Sequence, residues 1–587
     1  MSSILVGYLS ASHNELPHVL FYVLGDSMNN FKDVRTRIAL ANLLGVPENK
    51  LTYVLYIKKI ENLYTSFSIP KKNGESRHIN APQKDLKDIQ KKLADCLYEY
   101  QKENRINNNI KTNISHAFER DKSFITNAKV HRNKRFVYNV DLENFFGSFH
   151  FGRVKGFFEK NKDFQLPSNI ATVISQIACY QGELPQGAPS SPIITNLICN
   201  IFDIRLIKLA KKYKLDYTRY ADDLTFSTNN KKFLDTISDF HSELSKEIKQ
   251  AGFEINNNKT RLQFQDSKQE VTGLTVNKKL NVDKSYFKTT RAMAHHLYTQ
   301  GSFKINDKDG TINQLEGRFA FINQLDRYNN KLDNGSHNIR ELNSRERQYQ
   351  KFLFYKYFYA NNKPIIVTEG KTDILYLKAA IKKFHSEYPA LINKRSDGKF
   401  EFKISFLRRT KRLNYFLDLQ KDGANTMKKL YNFFSNKESR HFPNYSAYFK
   451  KNSVVPPKNP VIFVYDNELK NKKKPIIDFL NYANIKPEKR LELAEILSIK
   501  IINNLFLLTN PLIVEPESEI EDLFDEKTLS IVLNGKTFSR NDDSNDKEHY
   551  GKEIFSKHIS SNYSKINFDN FRPMLDRITA IMETYEK

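Results

Sequence analysis

YTRYADDLTFST (217–228) alternates apolar and polar residues on either side of Ala221-Asp222-Asp223. That is the pattern of a β-hairpin whose turn carries two adjacent carboxylates. Upstream, RFVYNVDLENFF (135–146) is a β-rich run that ends in acid at Asp141 and then turns helical. Strand ends set carboxylates along one edge of a sheet, where they can share a cation. Phosphoryl transfer to a hydroxyl suits two Mg²⁺ ions about 4 Å apart, one activating the hydroxyl and one neutralising the leaving group. Three carboxylates suffice, because Mg²⁺ keeps several waters and takes other oxygens from substrate phosphates. Asp222-Asp223 alone would equally suit a solvated turn, so the neighbouring stretches decide the reading.

Those stretches alternate helix and strand signals. Residues 31–65 suggest short helices. IPKKNGESRHINAP (69–82) reads as a hairpin with a basic tip, and LKDIQKKLADCLYEY (86–100) as an amphipathic helix. LPQGAPSSP (184–192) breaks a helical run over 166–182 before ITNLICNIFDIRLIKLAKKY (194–213) resumes it. A helix over 231–251 leads to strand-like FEINNNKTRLQF (253–264) and VTGLTVN (271–277). Residues 300–345 are polar, with a boundary expected within 329–345. RERQYQKFLFYKYFYA (345–360) reads as a connecting helix. Beyond it PIIVTEG (364–370), FKISFL (402–407) and PVIFVYD (460–466) alternate with helices, which indicates an α/β layer with a mainly parallel sheet.

Composition bounds the partners. The chain has 587 residues, 93 Lys+Arg against 67 Asp+Glu, and a net charge of +26. Such a surplus points to a polyanion, most simply nucleic acid. Three cysteines exclude a disulfide framework and a four-cysteine zinc site, which fits a reducing cytoplasm. A mean hydropathy of -0.60 and the lack of a clean run of about 18 apolar residues argue against a membrane span. ILVGYLSASHNELPHVLFYVL (4–24) has no basic start and is broken by His13, Asn14, Glu15 and His18. It reads as an extension, with Met28 an alternative start.

A second acidic constellation follows the later strands. Glu369 comes directly after PIIVT, Asp373 opens a helix, Asp466 and Glu468 follow VIFVY, and ESEIEDLF (517–524) adds Glu519, Glu521 and Asp522. Carboxylates at the C-terminal edges of parallel strands converge in the crevice where α/β sheets bind ligands, which is again metal-site geometry.

Taken together, the motifs of residues 35–325 resemble a reverse transcriptase of the retron class. VDLENFFGSF (140–149), LPQGAPSSP and YADD are similar to its palm motifs, and NAKVH (127–131) and VTG (271–273) to its two retron marks. The resemblance implies that Asp141, Asp222 and Asp223 bind two Mg²⁺. It implies that Phe146 excludes a ribose 2′-hydroxyl and that Gln186 and Gly187 approach the templating pair. Lys71 or Lys72 with Arg77 would clamp the dNTP triphosphate, and Lys259 would protonate pyrophosphate. Asn127, His131, Val271, Thr272 and Gly273 would contact RNA or fix local structure, with Leu274 near the primer grip. The implied partners are a cognate structured noncoding RNA, primed at a guanosine 2′-hydroxyl, and its branched product, multicopy single-stranded DNA (msDNA). A host RNase H would remove template. KKLNVDKSYFKTTRAMAHHLY (278–298), in the thumb position, mixes basic and aromatic residues as RNA binding requires.

The second constellation resembles a TOPRIM domain, most closely that of OLD-type nucleases. The family has Asp-x-Asp where this chain has Asp466 and Glu468. The likeness implies one or two Mg²⁺ or Mn²⁺ held by Glu369, Asp373, Asp466, Glu468 and Glu521, assisted by Lys552. The expected fold is thus multidomain, α/β and α+β: a right hand of fingers, palm and thumb, then a TOPRIM α/β domain. The boundaries are an extension over 1–30, fingers and palm over 31–265, thumb over 266–330, a linker and connecting helix over 331–362, and the effector domain over 363–587. The fused likeness implies a nuclease effector of anti-phage defence, acting on a nucleic-acid target. The alternative is a ribonucleoprotein scaffold whose TOPRIM domain only binds. A group II intron protein is disfavoured, since no zinc-finger or HNH pattern is present. No membrane partner is expected, and homo-oligomerisation stays open.

Overall fold

The computed structural model describes residues 31–70, 74, 76–109, 114–332, 339–420, 425–437, 441–540 and 548–586. The extension 1–30 and the fingertip residues Lys71 and Lys72 lie outside them. The chain forms two compact units. The first runs to Thr272 and takes in Val276–Lys278; the second holds Gly273–Thr275 and the chain from Lys279. Among the described residues, no helix is long and apolar enough to cross a membrane.

In the first unit, β1 (Tyr64–Pro70) and β2 (Ser76–Pro82) pair antiparallel as the basic hairpin, with Tyr64 opposite Pro82 and Pro70 opposite Ser76. Helix α1 (Lys84–Asn107) buries Leu86, Ile89, Leu93 and Leu97, a helical stripe. Helix α2 (Phe124–Val130) starts at a capping box. Ser123 Oγ accepts from Thr126 N, and Thr126 Oγ1 accepts from Ser123 N. β3 (Phe136–Leu142) is buried on both faces apart from half-buried Asn139, as suits a central strand. Helix α3 (Ser191–Lys212) has proline in its first turn and two lysines in its last. β4 (Asp216–Tyr220), β5 (Asp223–Thr228), α4 (Phe233–Gln250) and β6 (Ile255–Phe264) follow. The sheet is antiparallel in the order β4-β5-β3-β6. Helix α4 covers one face through Phe240, whose ring meets Phe226 of β5 at 5.0 Å and Tyr138 of β3 at 6.1 Å.

The second unit opens with α5 (Lys284–Gln300), α6 (Ile312–Leu332) and α7 (Ser344–Phe354). Helix α7, read from sequence as a connector, is instead a core element: Tyr349, Phe352, Leu353 and Phe354 are at most 1% exposed. A helix apolar around most of its circumference must be covered on most sides. The Phe319 ring of α6 lies parallel to Tyr349 at 5.4 Å, and Tyr355 Oη donates to Leu297 O of α5 at 3.1 Å. The segment in the thumb position therefore shares its core with the residues after it.

Beyond lie β7 (Ile365–Thr368), α8 (Asp373–Lys383), β8 (Ile392–Lys394), β9 (Phe400–Phe402), β10 (Ser405–Phe406), β11 (Val461–Tyr465), β12 (Ser498–Ile502) and β13 (Leu505–Thr509). The sheet order is β10-β7-β11-β13-β12. The first four strands are parallel and β12 is antiparallel to β13. FKISFL, expected as one strand, divides. Phe402 pairs back on Ile392, while Ser405 N donates to Pro364 O beside β7, so the chain changes partner at Ile404. Side chains alternate between two cores: Ile365 and Val367 enter one, Ile366 the other. Helices α9 (Lys552–Ser561) and α10 (Arg572–Glu586) close the chain.

Candidate active sites

In the first unit the register places Asp141 of β3 opposite Asp223 of β5, and Tyr220 opposite Asp223 across the turn. Facing residues on antiparallel strands hold their Cβ atoms about 4.5–5.5 Å apart. The two turn residues are Ala221 and Asp222, with Ala221 at φ 57°, the left-handed first position of a II′-like turn. Leu142 N donates to Asp222 O at 3.0 Å, which draws the end of β3 against that turn. Burial, then Asp222 and Asp141, push the Asp223 carboxyl up to about 7. Asp222 is also raised, by burial and by Asp141, with Lys259 and Arg77 opposing. Lys259 donates to Asp141 Oδ1 at 2.8 Å, and that bond holds its ammonium above the ordinary lysine value.

A cleft of about 960 Å³ surrounds these groups. Arg77 lines it from β2, Phe146 from the turn after β3, Gln186 from the loop before α3, and Lys259 from β6. Gly187 has a nearer reason for being glycine than a templating pair. Its φ is 121°, and a Cβ there would lie 2.8 Å from Asn80 O and 2.9 Å from Ile79 Cγ2 on β2. Next to it, Asn80 N donates to Gln186 O at 2.8 Å. This loop thus fixes the fingers hairpin on the cleft. Gly187→Ala is expected to displace β2 and cost about 1–3 kcal/mol of stability, as overpacking does. Denaturant unfolding of the purified protein checks it; an unchanged midpoint refutes the coupling.

Beneath the hairpin lies a buried polar network that sequence reading missed. Arg219, 0% exposed, donates twice to Asp203 of α3, from Nε at 2.9 Å and Nη2 at 2.8 Å. It also donates to Asn196 Oδ1 at 3.2 Å and to Ala221 O at 3.3 Å. The last bond holds the carbonyl of the left-handed turn residue. The one available signal was an arginine on an otherwise buried strand, with Asp203 on an apolar helix face. Arg219→Ala strands a buried carboxylate and is expected to cost about 3–5 kcal/mol. Denaturant unfolding of the purified protein checks it; a loss below 1 kcal/mol would show the pair is dispensable.

Of the two roles expected of Asn127 and His131, RNA contact or fixing local structure, their burial supports the second: both are 0% exposed. The His131 ring bridges Thr218 Oγ1 of β4 and Ser227 Oγ of β5, each at 2.7 Å, and staples the hairpin. Burial, then His116 and Lys134, lower its pKa to about 3, so the ring is neutral. Val271 is buried as well. Thr272 and Gly273 form a turn at φ 46° and 78°. Thr272 Oγ1 donates to Phe124 O at 3.3 Å, at the start of the helix that carries NAKVH.

The second unit carries its own cleft, about 680 Å³, at the carboxyl edge of the parallel strands. Glu369, Asp373, Asp466, Glu521 and Lys552 line it. Glu369 Oε1 accepts from Asp466 N at 3.2 Å, which ties the ends of β7 and β11 together. Asp373 Oδ2 accepts from Gly370 N at 2.8 Å. Asp466 Oδ1 accepts from Ile520 N at 2.9 Å. Asn510, just after β13, accepts from Asn467 N and donates to Ser518 O, each at 2.8 Å. These amides, unremarked in the sequence, bring Glu521 beside Asp466. Burial pushes Glu369 up to about 8, with Asp373 and Glu468 adding and Arg409 opposing. Burial and Glu369, Asp373 and Glu521 raise Asp466 well above the carboxylate range. Lys552 donates to Glu521 Oε2 at 3.2 Å and Glu519 Oε2 at 3.3 Å. Glu468, expected as a ligand, is turned to Lys474 at 2.6 Å and is not part of the cleft lining. Lys474 also binds Glu517 at 3.1 Å.

Both donor sets fit a hard divalent cation. Burial holds Asp222, Asp223, Glu369, Asp373, Asp466 and Glu521 above the ordinary carboxylate pKa, a cost that a bound cation relieves, and Glu521 Oε1 is buried without a hydrogen-bond partner among the described residues. Among the described residues no three such side chains already close a cage.

The profile of the family "Reverse transcriptase (RNA-dependent DNA polymerase)" matches residues 69–276. Retron Ec86 reverse transcriptase of Escherichia coli is 32% identical over 304 residues, 51% of this chain and 85% of the relative. Retron Mx162 reverse transcriptase of Myxococcus xanthus is 30% identical over 328 residues, 51% of this chain and 65% of that one. A solved Candida albicans telomerase, in complex with a fragment of telomeric RNA, overlaps slightly. Its TM-score is 0.30 at 11% identity, over 50% of this chain and 60% of that one.

Proposed function

Because the chain belongs to the retron reverse transcriptases, and is thereby an RNA-directed DNA polymerase, we propose that it copies its own structured noncoding RNA into branched msDNA. The observation that carries this is Asp141 facing Asp223 beside Asp222, in a cleft walled by the basic hairpin. Asp141, Asp222 and Asp223 would hold two Mg²⁺, which when bound activate the attacking hydroxyl and neutralise the triphosphate. Arg77 brings a fork of donors to phosphate. Phe146 presents a ring where a sugar would lie. Lys259, charged and beside Asp141, is placed to give a proton to pyrophosphate. Priming is from a guanosine 2′-hydroxyl, and a host RNase H trims the template. With cognate RNA, dNTPs and Mg²⁺, the product is expected to shorten on treatment with a 2′,5′-debranching enzyme. A product of unchanged length overturns branched priming.

For the second unit we propose a metal-dependent nuclease of TOPRIM type, the effector of an anti-phage unit that the RNA–DNA product restrains. Support comes from Glu369 and Asp466 at the ends of adjacent parallel strands, with Asp373, Glu521 and Lys552 around the same cleft. These side chains would hold one or two Mg²⁺ or Mn²⁺. A second reading, a TOPRIM domain that binds without cutting, draws on Glu468 being held by Lys474. Labelled RNA and single-stranded DNA incubated with Mg²⁺ or Mn²⁺ separate the two: cleavage supports the nuclease, and retention of intact strands the binding module.

A further inference from the structure

Residues 371–412 run from the acidic cleft through α8, β8, β9 and β10. They carry twelve lysines and arginines against four acids. That ratio is steeper than the chain's own, and the fold gathers Lys378, Lys382, Lys394 and Arg408 around one set of rings. Lys378 and Lys382 stand one turn apart on α8. The Lys378 ammonium lies 5.1 Å from the centre of the Phe406 ring of β10. Lys382 lies 6.0 Å from Phe400 of β9 and 5.5 Å from Tyr563. Lys394 of β8 approaches Phe400 at 5.8 Å, and Phe400 and Tyr563 meet edge to face at 6.0 Å. All three rings are half-buried and so half open to solvent.

The nearby acids are used elsewhere. Asp397 pairs with Arg395 and Lys399, and Glu387 with Arg572. Asp373 belongs to the cleft. Glu401 lies between Phe400 and Phe402, so strand alternation turns it to the other face. Among the described residues, Lys378, Lys382, Lys394 and Arg408 form no ion pair. Burial, then Arg408 and Lys382, lower the Lys378 pKa, as crowding of like charge does. Cations gathered without acids cost the folded chain stability that a polyanion recovers.

The rings make the polyanion more specific. A lysine over a half-exposed ring is weakly held, and it can yield the ring face to a base and follow the phosphate. Stacking platforms interleaved with amines suit a single strand, whose bases are free, rather than a duplex, whose bases are hidden. The face also leads somewhere. β10 continues through Leu407 into Arg408 and Arg409, and Arg409 donates to Thr368 O at the end of β7, one residue before Glu369.

We infer that this face of α8, β8, β9 and β10 is a track that docks a single-stranded nucleic acid and leads it to the cleft of Glu369 and Asp466. The direction of travel rests on the nuclease reading; docking itself does not require cleavage. The test uses the full chain in EDTA with strands of about 20 nucleotides carrying 5-iodouridine. Single-stranded RNA, single-stranded DNA and duplex are irradiated separately, and the adducts are mapped by mass spectrometry. Adducts are expected on peptides containing Phe400 or Tyr563 with either single strand. Lys378→Glu combined with Lys382→Glu should lower their yield on the order of tenfold, and Lys382→Arg should retain it. Primer extension on a preformed primer–template, unchanged in the variant, shows the chain is folded. Absence of adducts on this face, or a yield indifferent to charge reversal, overturns the track. Equal yield with duplex overturns single-strand selection. Poly-glutamate bound in place of any strand would assign the face to an acidic protein and overturn the inference. Adducts without any cleavage in Mg²⁺ or Mn²⁺ sustain the track and strike the nuclease reading alone.

Discussion

Asp222→Ala combined with Asp223→Ala should eliminate DNA synthesis, by on the order of 10³-fold or more. Loss of one preorganised charge-stabilising group alone costs 10²–10³-fold. The two side chains supply two of the three carboxylates on the sheet edge, and Asp141 is left paired with Lys259 alone. Cognate RNA with dNTPs and Mg²⁺ gives the readout; residual product above one part in a hundred would remove the polymerase assignment from this cleft. The same residues are predicted to behave oppositely in stability. The unfolded chain releases the Asp223 proton near 3.8, whereas the folded site keeps it to about 7. Between those values the native state binds more protons, so stability is highest at the acid end and falls as pH rises through the window. Asp223→Asn has no such proton to lose. Its gain in melting temperature over the wild type, measured in EDTA, should grow from pH 5 to pH 8. Mg²⁺ should shrink the gain by stabilising only the wild type. A gain that does not vary with pH would show that neither burial nor the neighbouring carboxylates hold the Asp223 proton.

The second large effect is expected at Glu369→Ala: cleavage of labelled nucleic acid falls on the order of 10²-fold or more, while DNA synthesis stays within about twofold of wild type. The argument is positional. Glu369 sits at the end of β7, accepts from Asp466 N, and shares its cleft with Asp373 and Glu521. The carboxylates proposed for synthesis belong to the other compact unit, and each set has its own sheet. Parallel assays on one preparation decide it. Equal loss of both activities would mean that the two sites do not act as separate heads, and unchanged cleavage would take the metal-binding role away from Glu369.

What the sequence disclosed was chemistry at strand ends. Asp141, Glu369 and Asp466 stood out because each follows an apolar run, and Asp222 because it sits at the turn of an alternating hairpin; a strand's end fixes where its next side chain goes. What it hid were partners contributed from far along the chain. Arg219 reads as one charge in a hairpin until α3 brings Asp203 to it. Asn510 has no local signature; it matters because β13 pairs with β11 and sets its amide beside Asn467. His131, in a short motif, left RNA contact and a local structural role both open. Its two hydroxyl partners lie 87 and 96 residues away in sequence. Glu468 looked like a metal ligand because it sits two residues after Asp466, but Lys474 on the following turn captures it.

The buried position of α7 governs how this protein can be taken apart. A cut near residue 330 looks natural from composition, since the stretch that follows was read as a linker. It would divide one core, leaving Leu297, Tyr298 and Phe319 on one fragment without Tyr349, Phe352 and Tyr355 on the other. Newly bared aromatic surface of that kind drives aggregation. The synthetic and acidic sites are therefore better separated by single substitutions in an intact chain than by scissors, and an insoluble fragment ending near residue 330 would say nothing about whether polymerisation needs the second site.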